Sequence, residues 1–425
     1  MAFSQQPERM LLFIQALQMQ RTDLQVLLLT TVIICTSMKA SASDSIEFAR
    51  DVLIVDTHID VPYRVYRHPE IDVTVSDETG DFDLPRMQAG GLNAAFMSIF
   101  IPASVDEAGG AKALADDLIN LVHGIVAIAP EKLAIATCVA DIYRHQKAGL
   151  ASLPMGIENG APIEGNLDNV SYFREKGIRY ITLAHSKSNH ISDSSYDTNE
   201  HWGGLSDFGK QLIPAMNDQG IMVDISHLSD AAAWQVLEVS KTPVIASHSA
   251  LRHFVPGFHR NMTDEMVKAV GKNGGVVQIN FGSSFVTAKA RTWMNELIAE
   301  IKAYKEENQL DDKDPTLTDF RKQWAVQHPF PFAGLSDVLD HIGRVVDLAG
   351  IDHVGIGSDY DGVGKTLPVD LKDVSSYPNL VLGLRARGYP DEDIAKILGG
   401  NFMRVWAVVE KYAVERGYPV LCSSS

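Results

Sequence analysis

Short apolar, β-branched runs alternate with longer amphipathic ones along most of this chain, and that alternation limits the fold more than any other feature. The runs expected to be strands lie at 52–57, 93–99, 153–158, 178–184, 221–226, 243–247, 275–280 and 353–358. Helical spacing of apolar residues occupies intervals such as Ala111–Ile128, Asp207–Gln219, Asp230–Val239, Thr263–Lys272 and Gly334–Ala349. Gly91, Gly177, Gly220 and Gly274 each stand before a strand, where a helix C-cap is expected. Strand–helix alternation of this kind implies parallel strands joined by crossovers. Eight strands is the number that closes a (β/α)8 barrel of the TIM type. A doubly wound open sheet competes, but it usually carries a Gly-rich phosphate loop after its first strand, and none follows here. The crossover between the seventh and eighth strands is oversized. Its residues 284–333 read as an insertion: a charged, helix-prone stretch (Trp293–Glu307), then Asp311–Pro331. A lid, an oligomer contact and a solvated surface excursion all suit it.

An apolar share of 45% with 21% charged residues suits a substantial core, and residues 43–425 are expected to form a single domain. The net charge of −17 argues against nucleic acid as a partner, because phosphate binding needs a basic surface. Residues 1–42 read as a signal segment for export to the periplasm or cell exterior. Arg21 precedes the apolar run Leu24–Cys35, and Ala40-Ser41-Ala42 offers a cleavage site. Translation from Met19 would give a more ordinary signal. The C-terminus has no apolar tail, so no lipid anchor is expected. Beyond the signal segment only Cys138 and Cys422 remain, too far apart in sequence to suggest a disulfide framework.

Polar residues gather where the expected strands end. In Val55-Asp56-Thr57-His58-Ile59-Asp60-Val61-Pro62, alternation places His58 and Asp60 on one face. A neutral imidazole beside a carboxylate suits a divalent metal such as zinc. Asp56 shares that parity, either supporting the ligands from behind or serving as a buried cap. The third strand ends in Glu158, the fourth in His185, the fifth in His227, the sixth in His248 and the eighth in Asp359. In a barrel these ends share one rim. The set exceeds what one zinc takes, so two zinc ions per chain are expected. His58, Asp60, Glu158, His227 and His248 are their candidate ligands. A paired site can hold a bridging water and polarise a carbonyl. Asp359 is then the candidate acid/base, and His185 steadies the developing oxyanion. Asp361-Gly362 reads as a turn.

An ordered series of motifs runs through the chain. It comprises Asp56-Thr-His58-Ile-Asp60-Val-Pro62, Arg86-Met-Gln-Ala-Gly-Gly91, Gly156-Ile-Glu158-Asn-Gly160, Thr182-Leu-Ala-His185 and Leu205-Ser-Asp-Phe-Gly209. It continues with Val223-Asp-Ile-Ser-His227, Ser247-His248-Ser249, Arg260-Asn261, Gly357-Ser-Asp359-Tyr-Asp-Gly362 and Gly400-Asn-Phe402. With these the chain, from Asp51 to Tyr412, resembles the membrane or renal-type dipeptidases, binuclear zinc enzymes with a (β/α)8 fold. The resemblance implies one zinc on His58 and Asp60, the other on His227 and His248, and Glu158 bridging. It implies that His185 contacts the scissile carbonyl, that Arg260 pairs with the substrate's terminal carboxylate, and that Asp359 is the acid/base. It also implies free dipeptides as substrates, tolerance of a D-residue at the C-terminal position, and a homodimer.

The chain departs from the family's animal members, which carry disulfides and a lipid anchor. After the seventh strand, Asn280-Phe281 continues as Gly282-Ser283-Ser284, without the tyrosines some relatives place nearby. Two other functions compete. A binuclear barrel hydrolase of lactones, cyclic amides or phosphotriesters often uses a bridging lysine at the fourth strand, where His185 stands here. A non-catalytic peptide-binding barrel would be expected to lack a ligand or the acid/base.

Overall fold

Ten short strands, every pair of them parallel, build the framework of the computed structural model, which describes residues 43–423. The expected export segment, 1–42, lies outside the described residues. The strands are β1 (Val55–Ile59), β2 (Ala94–Phe100), β3 (Leu133–Ala134), β4 (Ala151–Ser152), β5 (Met155–Glu158), β6 (Ile178–Thr182), β7 (Met222–Asp224), β8 (Ile245–Ser249), β9 (Val276–Ile279) and β10 (Val354–Ile356). Their order is β10-β9-β8-β7-β6-β5-β2-β4-β3, with β1 on the free side of β2. The eight expected runs are all strands; β3 and β4 are extra, each two residues long and too short to leave a periodic signal. The sheet curls until its outer strands meet. Asp60 N–H donates to the Tyr360 carbonyl at 2.9 Å, and Asp359 N–H donates to the His58 carbonyl at 3.1 Å.

Helices cover the outside, which is why most strands are buried along their whole length and read as continuous apolar runs. Helix starts follow their capping residues. Ser206, Ser229 and Thr263 accept from the N–H groups of Gly209, Ala232 and Met266, beginning helices Asp207–Asp218, Asp230–Val239 and Asp264–Asn273. At the N-terminal ends of the strands, Val55, Phe96, Tyr180, Met222, Ile245 and Val276 form an apolar cluster. Phe402, Met403 and Trp406 of helix Asn401–Glu415 complete it. That end of the sheet is filled, so a site has room only at the other.

One expectation fails. Cys138 and Cys422 form a disulfide across 284 residues of sequence. The C-terminal tail returns to the N-cap of helix Val139–Ala148, drawn in by polar contacts. Arg179 donates to the Leu421 carbonyl at 3.1 Å, Arg174 donates to that of Pro419, and Ser423 N–H donates to Asp141 at 2.9 Å. Separation along the chain carried no information about this proximity in space.

Between β9 and β10 lie helices Ser283–Val286, Ala288–Asn308 and Thr316–Gln327. The two longer ones pack through rings of their own: Trp293 meets Trp324 and Phe330, each at 4.9 Å, and Tyr304 stacks on Phe320 at 4.3 Å. Among the described residues, no helix is long and apolar enough to cross a membrane.

Candidate metal centre and active site

The C-terminal strand ends bring His58, Asp60, Glu158, His185, His227, His248 and Asp359 together, as the sequence led us to expect. Glu158, at the end of β5, is the hub. Its Oε1 lies 3.1 Å from His227 Nε2, 3.2 Å from His248 Nε2 and 3.5 Å from His185 Nε2. Its Oε2 lies 3.5 Å from His58 Nε2, which is also 3.5 Å from Asp60 Oδ2. Ligand-capable atoms form three overlapping groups: His58, Glu158 and His248; Glu158, His185 and His227; His58, Asp60 and Asp359.

Backbone irregularities aim these side chains. The register between β1 and β2 shifts between Asp56 and Ile59. Strict alternation therefore breaks just where His58 is needed. Thr57 spans the interior, donating to the carbonyls of Ser247 at 2.6 Å and Ile356 at 3.0 Å. Asp56 does not face the ligands. It accepts from the N–H groups of His58 at 3.0 Å and Ser358 at 3.1 Å and from the Tyr377 hydroxyl, the buried-cap alternative. His227 and Asp359 adopt φ of 68° and 64°, a left-handed conformation unusual outside glycine. Gly362 belongs to the turn after Asp359; a Cβ there would fall 2.1 Å from Asp359 Oδ1 and 2.2 Å from Asp60 Oδ2. Asp361 forms that turn and pairs with Arg64 Nε at 3.0 Å, so it is no ligand.

Two hydrogen-bond relays set the imidazole tautomers. The Tyr180 hydroxyl donates to the Thr57 carbonyl at 3.1 Å and so accepts from His58 Nδ1 at 2.9 Å. Ser247 Oγ donates to Asp224 at 2.6 Å and so accepts from His248 Nδ1 at 2.8 Å. In both rings Nε2 is left as a lone pair directed at Glu158, the usual arrangement behind a metal-binding histidine. His58 Nε2 is buried without a hydrogen-bond partner, and His227 Nε2 faces His248 Nε2 at 2.8 Å. Among the described residues no partner on His227 Nδ1 fixes that ring's tautomer, so His227 Nε2 is free either to donate to His248 or to turn its lone pair to a shared cation.

The electrostatics set His58 apart from His227 and His248: its charged form is favoured, so its Nε2 becomes a lone pair only on loss of a proton. Burial opposes charge on His58, yet Tyr180, Glu158 and Asp60 outweigh it and raise its pKa well above 6.5. Burial, reinforced by Arg260, holds His227 well below its usual range; burial and His58 do the same for His248. Burial would raise Glu158, but His58 and His185 hold it well below the carboxylate range. Asp359 is pushed up to about 8 by burial and by Asp60 beside it. Asn280 Nδ2 donates to its Oδ2 at 2.6 Å.

Above the ring opens a cavity of 890 Å³, whose lining includes Asp60, Glu158, His185, His227 and Asp359. Arg260 stands apart from that lining. It is buried, with Nη2 donating to the His248 carbonyl at 2.7 Å, Nη1 donating to Ser249 Oγ at 3.0 Å, and Nε without a partner. Sequence reasoning did not assign Tyr180, Ser247, Asp224 or Asn280. Asp224 and Ser247 lie within the motifs read for their histidines, a signal that was available. Nothing local distinguishes Tyr180 from any other strand aromatic, since its role comes from the contact with His58.

Comparisons with known proteins follow this geometry. The family model described as "Membrane dipeptidase (Peptidase family M19)" matches residues 43–417. Dipeptidase aclJ of Aspergillus oryzae is 32% identical over 342 residues, 79% of this chain and 71% of that protein. Dipeptidase 3 of Mus musculus is 30% identical over 370 residues, 85% of this chain but only 65% of the mouse protein. Among solved structures, the probable dipeptidase PvdM of Pseudomonas aeruginosa aligns with a TM-score of 0.75 at 28% identity, covering 88% of this chain and all (100%) of that one. A metallo peptidase of Rhodobacter sphaeroides, liganded with a phosphinate mimic of the dipeptide L-Ala-D-Ala, aligns at 0.69 with 25% identity, covering 84% and 99%. The match over 43–417 and the histidine–carboxylate ring it encloses together lead to one assignment: this chain belongs to the membrane dipeptidase family, peptidase family M19, the metallo-dipeptidases.

Proposed function

We propose that the chain is an exported zinc dipeptidase that holds two ions and hydrolyses free dipeptides, including those with a D-residue at the C-terminal position. The observation that carries this reading is the convergence of His58, His227 and His248 on one buried carboxylate, Glu158, with Asp60 beside them. His58 and Asp60 would hold one ion and His227 and His248 the other, with Glu158 shared. Zinc, when bound, supplies a Lewis acid that polarises a carbonyl and lowers the pKa of water. The chain's own residues do the rest. Asp359, fixed by Asn280, is placed to take a proton from the attacking water and pass it to the leaving amine. His185, a fifth exposed on the cavity wall and stacked edge-on against Phe100 at 4.8 Å, offers Nε2 to the carbonyl oxygen. Arg260, buried behind the cavity lining with its Nε–H unpartnered, is the residue assigned to the terminal carboxylate, which must reach past that lining to meet it.

In this reading the curled sheet is a (β/α)8 barrel of one domain, 43–425, and 284–333 is an insertion between its seventh and eighth strands. The parallel bridge from Ile59, at the end of β1, to Tyr360, just beyond β10, supports the first point. The Cys138–Cys422 bond supports export, since disulfides persist in oxidising compartments. The likeness to the Rhodobacter sphaeroides protein with its L-Ala-D-Ala mimic supports D-residue tolerance.

The test joins metal analysis to turnover of paired L-Xaa-L-Xaa and L-Xaa-D-Xaa dipeptides, for the wild type and Asp359→Asn. About two zinc ions per chain, cleavage of both series, and loss of turnover with metal retained in the variant are expected. Metal without any dipeptide cleavage would overturn the substrate assignment, and a protein that takes up no metal would overturn the site.

A further inference from the structure

One wall of the cavity comes from helix Ala288–Asn308, which contributes Arg291 and Met294. Arg291 is half-buried, and among the described residues its guanidinium makes no hydrogen bond or ion pair. What it has is a ring: its guanidinium carbon lies 3.9 Å from the centre of Phe258. Phe258 faces Tyr196 at 6.0 Å, and Tyr196 faces the ligand His227 at 5.8 Å. Arg291 therefore ends a row of rings that begins at the metal centre. The other arginines that line the cavity differ. Arg64 is neutralised by Asp77 and Asp361, and Arg67 is exposed in the last turn of its helix.

A partly desolvated guanidinium with no anion beside it leaves a charge uncompensated. Stacking on Phe258 holds its fork in one orientation and keeps its N–H donors free for a planar, two-oxygen acceptor. With the main-chain carboxylate assigned to Arg260 in the reading above, Arg291 is a second cation, and the one of the two that lines the cavity. We propose that Arg291 is a specificity residue that receives the side-chain carboxylate of an acidic dipeptide, so that dipeptides containing Glu or Asp are preferred over their amides. This inference rests on the dipeptidase reading above.

The test compares kcat/KM for Ala-Glu with Ala-Gln, and for Glu-Ala with Gln-Ala, in the zinc-loaded wild type, Arg291→Gln and Arg291→Lys. In the wild type, one acidic member should exceed its amide by about tenfold or more. Arg291→Gln should bring that ratio to about one through KM, and Arg291→Lys should restore part of it. A ratio unmoved by Arg291→Gln overturns the proposal, whether overall activity holds or falls, because a general fall would mean that Arg291 serves every substrate alike. Calorimetric binding of glutarate against glutaramate gives a readout free of turnover. A wild-type preference for glutarate lost in Arg291→Gln supports the proposal even if no dipeptide is cleaved. Cleaved dipeptides with no glutarate preference sink it while leaving the dipeptidase reading intact.

Discussion

The two ends of the curled sheet are made by the same strands and obey opposite rules. At the N-terminal end, Val55, Phe96, Met222, Ile245 and Val276 meet Trp406 and Phe402 in an apolar plug. At the C-terminal end, a few residues further along several of the same strands, His58, His227 and His248 crowd around one carboxylate, Glu158. Apolar packing tolerates approximate shapes of the right volume, whereas the ligand ring demands fixed tautomers, a shifted register and left-handed backbone. Tyr180 joins the two: its ring is in the plug and its hydroxyl holds His58. The lower half is a support whose rigidity makes the upper half possible.

That contrast can be broken from either side. The largest effect should come from Glu158→Gln, which removes the charge on which His58, His227 and His248 converge. Bound metal should be lost and kcat/KM should fall on the order of a thousandfold or more, with the fold intact by circular dichroism. Retained metal and turnover would refute the hub role. Trp406→Ala attacks the plug instead, and should cost about 3–5 kcal/mol in denaturant unfolding, while the folded variant still binds metal. Loss of metal without loss of stability would show that the two ends are not separable.

A third prediction concerns acid. His341 is buried beneath the rim, accepting from Leu251 N–H at 3.0 Å through Nδ1 and donating through Nε2 to the Val286 carbonyl at 3.0 Å. Burial pushes its pKa down to about 4 from 6.5. Between those values the unfolded chain binds the extra proton, so stability is complete above pH 6.5 and declines as pH falls toward 4. The loss from this group should approach about 3 kcal/mol, and His341→Asn should flatten that part of the pH–stability curve. Hydrogen exchange should report opening near Leu251 before Trp406; the reverse order would contradict the assignment. The smallest effect belongs to the joint itself. Tyr180→Phe keeps the plug and removes one relay, so zinc affinity should weaken by about 10- to 100-fold with little change in melting.

Much of this was legible in the chain. The eight strand runs, the helices Ala111–Ile128 and Asp230–Val239, and every ring member were visible, because period-2 and period-3.6 patterns are local and ligand chemistry needs particular side chains. Of the two readings left open for Asp56 the buried cap holds, and alternation could not choose between them because the register shift beside it is set by how β1 meets β2. The Cys138–Cys422 bond escaped notice because it depends on where the tail comes to rest. Arg291 lay in a segment read as a lid, a contact or a solvated excursion, and only packing of its helix against Phe258 brings it to the cavity.

By itself, then, the order of residues determined the fold class, the ligand types and the family motifs, all properties of short stretches read one at a time. Tertiary structure decided which nitrogen of each imidazole faces Glu158, which arginine is buried and which is left unpaired, and which cysteines meet. Each of these depends on distances between segments far apart in sequence, and such distances exist only once the strands have curled and the helices have closed over them.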